Sequence, residues 1–323
     1  MARIYLTRKI PEEGIKLLEG HELEIYEGDT PPPKKEIMKK VKDKEGLLCL
    51  LTDPIDKEVL DSAPCLKVIS TYAVGYDNID IKEATKRKIV VANTPGVLTE
   101  TVADFTWALI LSIARRIVEG DKIVRQKKFK GWGPLVLVGS DVYGKTLGII
   151  GAGRIGQAVA RRAKGFDMDI LYFSRKRKKE FERECNAKFV DIETLLKQSD
   201  FVSLHTPLTS ETYHLIGEKE LKMMKKTSYL INTARGKCID EKALVKALMN
   251  KEIAGAALDV YENEPSITPK LTELENVVLA PHAASASIQT RTKMAIIAAE
   301  NMLAGLEGKM PKYCVNPEVF EMK

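Results

Sequence analysis

Three short segments hold side chains that could work on a carbonyl. Asn232-Thr-Ala-Arg235-Gly236 offers an arginine, Leu258-Asp259-Val-Tyr-Glu-Asn-Glu264-Pro265 offers carboxylates, and Pro281-His282-Ala-Ala-Ser285 offers a histidine. Each follows a short apolar run that reads as a strand, and open parallel sheets bind ligands beyond the carboxyl ends of their strands. An arginine, a carboxylate and a histidine gathered there suit redox chemistry on a 2-oxo acid. The arginine would bind the substrate carboxylate and polarise the carbonyl. The histidine would donate a proton as hydride arrives, and the carboxylate would orient the imidazole and favour its charged form. Taken singly, each group has a plainer use: Arg235 in a structural ion pair, Asp259 as a turn cap, Glu264 as a solvated turn residue. Of the four histidines, His21 and His214 sit in polar stretches and read as surface residues. His205 also ends a strand-like run, so position alone does not separate it from His282.

A second constellation is Leu147-Gly-Ile-Ile-Gly151-Ala-Gly153-Arg154-Ile155-Gly156. It closes an apolar run and opens an alanine-rich helical pattern, the context that a dinucleotide-binding glycine turn requires. Gly151 would allow the tight turn, Gly153 the close approach of a pyrophosphate, and Gly156 the packing of helix on strand, with the diphosphate on the helix N-terminus. The next strand reads Asp169-Ile-Leu-Tyr-Phe-Ser174-Arg175-Lys-Arg177. Its end carries Ser174 and basic residues in place of the acid that usually meets the ribose hydroxyls, and Asp169 comes too early. A missing carboxylate removes repulsion of a 2′-phosphate, and arginine can clamp one. NADP(H) is therefore expected in preference to NAD(H).

The elements that must position these groups follow a β-α rhythm, which implies parallel sheets. Strand candidates are Arg3–Leu6, Gly46–Leu51, Lys67–Ser70 and Ile89–Val91. A second series runs Leu147–Ile150, Ile170–Phe173, Phe201–His205, Tyr229–Asn232, Gly255–Leu258 and Val277–Ala280. Six such strands match the doubly wound plan. Helix candidates Thr101–Val118 and Ala286–Leu306 flank the second series. The expected fold is a Rossmann dinucleotide-binding domain, 99–287, inserted in a smaller flavodoxin-like α/β domain, 1–98 plus 288–323, that serves the substrate.

Composition narrows the class. In 323 residues, 44% are hydrophobic and 30% charged, which suits two globular domains and excludes a disordered or collagenous chain. No run reaches the roughly 18 apolar residues of a membrane span, and the N-terminus lacks the apolar core of a signal peptide. Five scattered cysteines without C-x-x-C spacing read as reduced thiols, and no metal site is expected. A net charge of +6 over this length does not point to nucleic acid. The expectation is a cytoplasmic protein with neither nucleic acid nor membrane as partner.

The order of motifs resembles the D-isomer-specific 2-hydroxyacid dehydrogenase family over essentially the whole chain. The motifs are Ala73-Val-Gly-Tyr-Asp-Asn-Ile-Asp80, the glycine turn, His205-Thr-Pro-Leu-Thr209, Asn232 to Gly236, Leu258 to Pro265, and Pro281-His282. Gly131-Trp132-Gly-Pro-Leu and Leu171-Tyr-Phe-Ser-Arg175 are most similar to the glyoxylate/hydroxypyruvate reductases of that family. The resemblance implies Arg235, Glu264 and His282 as the catalytic set and Asp259 as the holder of the nicotinamide carboxamide. It implies cofactor contacts from Thr101, Arg154, Ile155, Pro207 and Thr233 besides the glycine turn and Ser174, Arg175 and Arg177. It assigns the substrate carboxylate to the backbone N–H groups of Val74 and Gly75 and to Arg235, and the pocket lining to Leu51 and Ser285. It also implies a homodimer joined through the helix and loop between about 100 and 145.

Three positions depart from the family pattern. Ala284 stands where glycine is usual before the serine, and could crowd the nicotinamide. Cys238 replaces a common valine, and Asp104 a common glutamate. None removes a catalytic group. D-3-phosphoglycerate and D-lactate dehydrogenases are the rival enzymes within the family. A dinucleotide-sensing corepressor on the same fold is the rival of another class.

Overall fold

The computed structural model describes residues 1–322. Strands are β1 Arg3–Leu6, β2 Glu22–Ile25, β3 Gly46–Cys49, β4 Val68–Thr71, β5 Val90–Ala92, β6 Thr146–Ile150, β7 Asp169–Phe173, β8 Ala187–Phe189, β9 Phe201–Leu204, β10 Tyr229–Asn232, β11 Gly255–Leu258 and β12 Val277–Leu279. Helices are α1 Glu12–Leu17, α2 Lys34–Lys40, α3 Lys57–Asp61, α4 Ile81–Lys86, α5 Thr99–Ala114, α6 Ile117–Arg125, α7 Arg154–Ala163, α8 Lys179–Cys185, α9 Ile192–Gln198, α10 Glu218–Met223, α11 Glu241–Met249 and α12 Ile288–Leu306. The chain divides into two compact units, Met1–Leu98 with the chain from Ala286 onward, and Thr99–Ser285.

The first unit holds a parallel sheet in the order β2-β1-β3-β4-β5, the flavodoxin-like plan. β3 and β4 are buried along their whole length; β3 is apolar throughout, whereas β4 also buries Ser70, whose Oγ donates to Ala298 O (2.8 Å), and Thr71. The second unit holds seven parallel strands in the order β12-β11-β10-β9-β6-β7-β8. Read from β8, this is the Rossmann order 3-2-1-4-5-6 with one further strand. Its switch point lies between β6 and β9, where the glycine turn leaves β6.

Two expectations change. The second sheet has seven strands, not six, because β8 joins its edge; β2 likewise extends the first sheet. Edge strands pair on one side only and need no continuous apolar run, so Glu22–Ile25 and the three residues of β8 gave little signal. The helix expected over Thr101–Val118 is two helices. Arg116 takes left-handed backbone (φ 53°), and its guanidinium grips Glu119 with two hydrogen bonds, at 2.8 and 2.6 Å. α5 is largely buried, whereas α6 buries no residue within the chain. Among the described residues no helix is long and apolar enough to cross a membrane.

Candidate active site

β6 delivers the glycine turn. Gly151 has φ +100°, a conformation that disfavours any side chain, and a Cβ there would lie 2.7 Å from the His205 carbonyl group. Its N–H donates to Phe173 O (2.9 Å), which draws the turn against the end of β7. A Cβ at Gly156 would strike Gly151 O at 2.2 Å, so helix α7 can approach only with glycine there. At Gly153 a Cβ would meet nothing within 4 Å. Gly153 caps α7 without a side chain, leaving the first-turn N–H groups of Arg154, Ile155 and Gly156 as donors beside open space. These residues fit a dinucleotide pyrophosphate.

The turn after β7 is built by Tyr172. Its hydroxyl donates to Glu182 Oε1 (2.7 Å) and accepts from Lys178 N–H (2.7 Å). Arg177 forks onto the same carboxylate, Nε at 2.8 Å and NH2 at 2.8 Å. The Arg177 guanidinium, with the Tyr172 hydroxyl, drives the Glu182 carboxyl down to about 2. Ser174 Oγ donates to Lys176 O (2.6 Å), and Arg175 is exposed and in no ion pair among the described residues. Asp169 begins β7, at the end of the strand away from this turn.

β10 ends at Asn232, whose side chain shapes the arginine loop: it accepts from Ala234 N–H (3.0 Å) and donates to Arg235 O (2.9 Å). Arg235 is half-buried and donates NH1 to Ala234 O (2.8 Å). Thr233 Oγ1 lies 3.0 Å from Thr106 Oγ1 of α5. Gly236 meets the next loop: a Cβ there would fall 1.9 Å from Tyr261 C and 2.0 Å from Tyr261 O.

That next loop, after β11, carries the carboxylates. Asp259 is fully buried and accepts from Ala283 N–H (2.7 Å) and Ala284 N–H (2.8 Å). Burial raises its carboxyl above the ordinary aspartate value, against the pull of those two amides and of His282. Its carbonyl accepts from His282 N–H (2.8 Å), so Asp259 fixes the segment that follows β12. Ala284, at the usual glycine position, presents its N–H to Asp259 and is itself buried. His282 takes φ 55° and donates Nδ1–H to Glu264 Oε2 at 2.8 Å. The other Glu264 oxygen accepts from Tyr261 N–H (2.9 Å). Burial alone would raise the Glu264 carboxyl; the hydrogen bond and charge of His282, the Tyr261 amide and the charge of Arg235 outweigh it, and the net shift is downward. Glu264 is thus a held carboxylate rather than a solvated turn residue. The bond to Nδ1 leaves Nε2 of His282 to carry a transferable proton.

His205, the competitor, lies just past β9 with Nε2 2.9 Å from Ser203 Oγ. Burial lowers its imidazole to about 3, although part of the residue still reaches solvent. A ring held neutral at pH 7 cannot serve as a charged proton donor. His214 departs from the expectation of a surface residue: it is half-buried and donates Nε2–H to Glu262 Oε1 (2.9 Å). Glu262 and His214 are therefore part of the site's support that sequence reasoning missed, the one signal being Glu262 two residues before Glu264. Thr101 and Ser285 lie in the same unit as these groups, and Pro207 O accepts from Thr212 Oγ1 (2.6 Å).

In the first unit, Asp53 binds Leu50 N–H (2.6 Å) and shapes the turn holding Leu51. Asn93 donates to Val74 O (2.7 Å), and Asn301 of α12 donates to Asn93 O (2.9 Å), so the Val74–Gly75 turn is anchored to buried amides.

Residues 107–284 match the family model described as D-isomer specific 2-hydroxyacid dehydrogenase, NAD binding domain. A glyoxylate reductase of Korarchaeum cryptofilum is 57% identical over 325 residues, covering 99% of this chain and 98% of that one. A solved protein of Thermus thermophilus superposes with TM-score 0.91 at 45% identity, covering 97% of this chain and 99% of that one. The NADPH-dependent glyoxylate/hydroxypyruvate reductase of Sinorhizobium meliloti, solved with NADP and malonate, superposes with TM-score 0.87 at 32% identity, covering 97% and 96%.

Proposed function

The chain belongs to the D-isomer-specific 2-hydroxyacid dehydrogenase family, and from that premise we propose that it reduces glyoxylate and hydroxypyruvate to their 2-hydroxy acids with NADPH as the preferred reductant. It is a nicotinamide-dinucleotide-dependent oxidoreductase acting on a small 2-oxo acid. The observation that carries the reading is the His282–Glu264 hydrogen bond beside a loop whose Arg235 charge acts on the same carboxylate. The substrate class is supported by the glyoxylate reductase relatives.

When bound, the nicotinamide supplies the hydride. Arg235 holds the substrate carboxylate and draws electron density from the carbonyl. His282 gives its Nε2 proton to the carbonyl oxygen, and Glu264 holds Nδ1 and balances the imidazolium. Hydride on carbon and proton on oxygen complete the hydroxy acid. Asp259, fully buried with its two oxygens on the Ala283 and Ala284 amides, keeps the His282 segment in place. Thr101, Pro207 and Thr233 contact the cofactor.

Cofactor preference rests on the turn after β7. It carries no carboxylate at the ribose position, and Ser174, Arg175 and Arg177 are the polar and basic groups it offers to a 2′-phosphate. Arg175 is the readiest clamp, since Arg177 already holds Glu182.

The protein acts in the cytoplasm as a homodimer joined through residues of about 100 to 145. Phe129, Trp132, Leu135, Val136 and Val138 are all exposed, Trp132 by 89%, apolar side chains in one short segment that a partner copy would cover.

The test is a panel of 2-oxo acids assayed separately with NADPH and NADH. The highest kcat/KM is expected for glyoxylate or hydroxypyruvate with NADPH, the latter giving D-glycerate. A clear preference for 3-phosphohydroxypyruvate or for pyruvate overturns the substrate assignment.

A further inference from the structure

Two loops carry the proposed chemistry, and one residue outside both holds them to each other. His214 lies between β9 and α10 in left-handed backbone (φ 49°). Its backbone N–H donates to Lys237 O (2.8 Å), just past Arg235 and Gly236. Its ring donates to Glu262 Oε1 (2.9 Å), two residues before Glu264. One residue thus grips the arginine loop by its backbone and the glutamate loop by its side chain.

The surroundings make this grip stiff. Tyr213 stacks on the His214 ring at 4.1 Å between centroids. The segment continues in register, Ile216 N–H donating to Cys238 O (3.1 Å) and Asp240 N–H to Ile216 O (3.0 Å). Glu262 is clasped from the other side by Glu241, the first residue of α11. Glu262 N–H donates to Glu241 Oε1 (2.6 Å), and Glu241 N–H to Glu262 Oε2 (3.3 Å). Glu241 is buried and takes a further bond from Thr268 Oγ1 (2.6 Å). The loops also touch directly where Gly236 meets the Tyr261 carbonyl group. That contact has no side chain to key it, so a hydrogen-bonded tie beside it fixes the register.

We propose that His214, acting through Glu262, is a positioning residue that sets Arg235 against the Glu264–His282 pair. The proposal rests on the catalytic roles given above. His214 touches none of the reacting atoms; it fixes the distance between the group that binds the substrate carboxylate and the group that protonates the carbonyl. Small misplacement of such groups lowers rate far more than stability.

Kinetics test it with hydroxypyruvate and NADPH. His214→Ala is expected to lower kcat/KM at least tenfold while the Kd for NADPH, from fluorescence titration, stays within twofold. His214→Gln, whose amide can still donate to Glu262, should recover most of the loss. On a Glu264→Gln background, His214→Ala should cost much less than on wild type, because the carboxylate it positions is gone. Fully multiplying losses, or activity within twofold of wild type for His214→Ala, overturn the proposal.

Hydrogen exchange tests the joint without catalysis. His214→Ala should speed exchange of amides in both 233–240 and 259–265, and His214→Gln should not. Unchanged exchange in either loop overturns the proposal even if the enzyme acts on another substrate. A wild type inactive on every 2-oxo acid, with both loops loosened by His214→Ala, overturns the catalytic reading and leaves the joint standing.

Discussion

His282 donates its Nδ1–H to Glu264 Oε2 at 2.8 Å, and the Tyr261 N–H holds the other oxygen of that carboxylate at 2.9 Å. The carboxylate is therefore fixed at both ends, and the ring is left with Nε2 to work with. His205, bonded to Ser203 and kept neutral by burial, has no such arrangement. Replacing His282 with Ala should lower kcat by about 10²–10⁴, the usual contribution of a positioned general acid. His205→Gln should leave the pH profile of activity nearly unchanged. The folded His205 resists protonation down to about pH 3, whereas an unfolded one takes a proton near 6.5. Wild-type stability should therefore fall as pH drops from about 6.5 towards 3, and less steeply in the variant. Retained activity in His282→Ala with loss in His205→Gln would falsify the assignment.

The lowered Glu264 carboxyl carries its own pH signature. A carboxylate favoured in the folded state adds stability above its unfolded value, here 4.5, and loses it as pH falls through the lower folded value. The unfolding gap between wild type and Glu264→Gln should be full above pH 4.5 and close below it. The alkaline limb of the reduction profile should move to lower pH in the variant, because a carboxylate stabilises the charged form of a ring it faces. Identical profiles would show that the carboxylate does not act on the ring.

Cofactor choice should follow Ser174 and Arg175. Ser174→Asp with Arg175→Ala is expected to weaken NADPH binding and spare NADH, each lost charge-assisted contact costing on the order of 1.5–3 kcal/mol. Arg175→Ala should cost more NADPH affinity than Arg177→Ala, since Arg177 is held by Glu182. Separate titrations with the two cofactors decide it, and a wild type that prefers NADH sinks the reading.

Gly236→Ala should disturb both loops at once. The added Cβ would meet the Tyr261 carbonyl group at 1.9–2.0 Å and Glu262 N at 2.4 Å, and backbone cannot rotate away. Overpacking of this kind costs about 1–3 kcal/mol, and kcat should fall with it. A variant with wild-type melting and wild-type kcat would mean that the loops are free to separate.

Leu135→Asp tests the assembly. Leu135 is 87% exposed, so a charge there costs a monomer almost nothing. Sedimentation should show dimer for wild type and monomer for the variant. A wild type that is already monomeric removes the homodimer from the reading.

The sequence by itself determined the parts of this protein whose physics is local. Buried parallel strands are apolar along their length, so β9, β10 and β11 stood out as runs, with β10 and β11 matching residue for residue. The glycine turn announced itself because positive φ at Gly151 and the approach of Gly156 to Gly151 admit no side chain. Edge strands β2 and β8 stayed hidden, since half-paired strands need no apolar run, and the break at Arg116 was masked because apolar residues resume directly after Arg115 and Arg116, at Ile117 and Val118. Tertiary structure alone decided which histidine meets a carboxylate. His205 and His282 both follow strands, but only the fold brings Glu264 within 2.8 Å of one and buries the other. It decided that Arg177 is engaged by Glu182 and that the His214 ring meets Glu262 instead of standing free on the surface. Spacing along the chain sets periodicity and turns. Pairings between loops such as His214 and Glu262, 48 residues apart, depend on where separate strands end, and the sheet order fixes that.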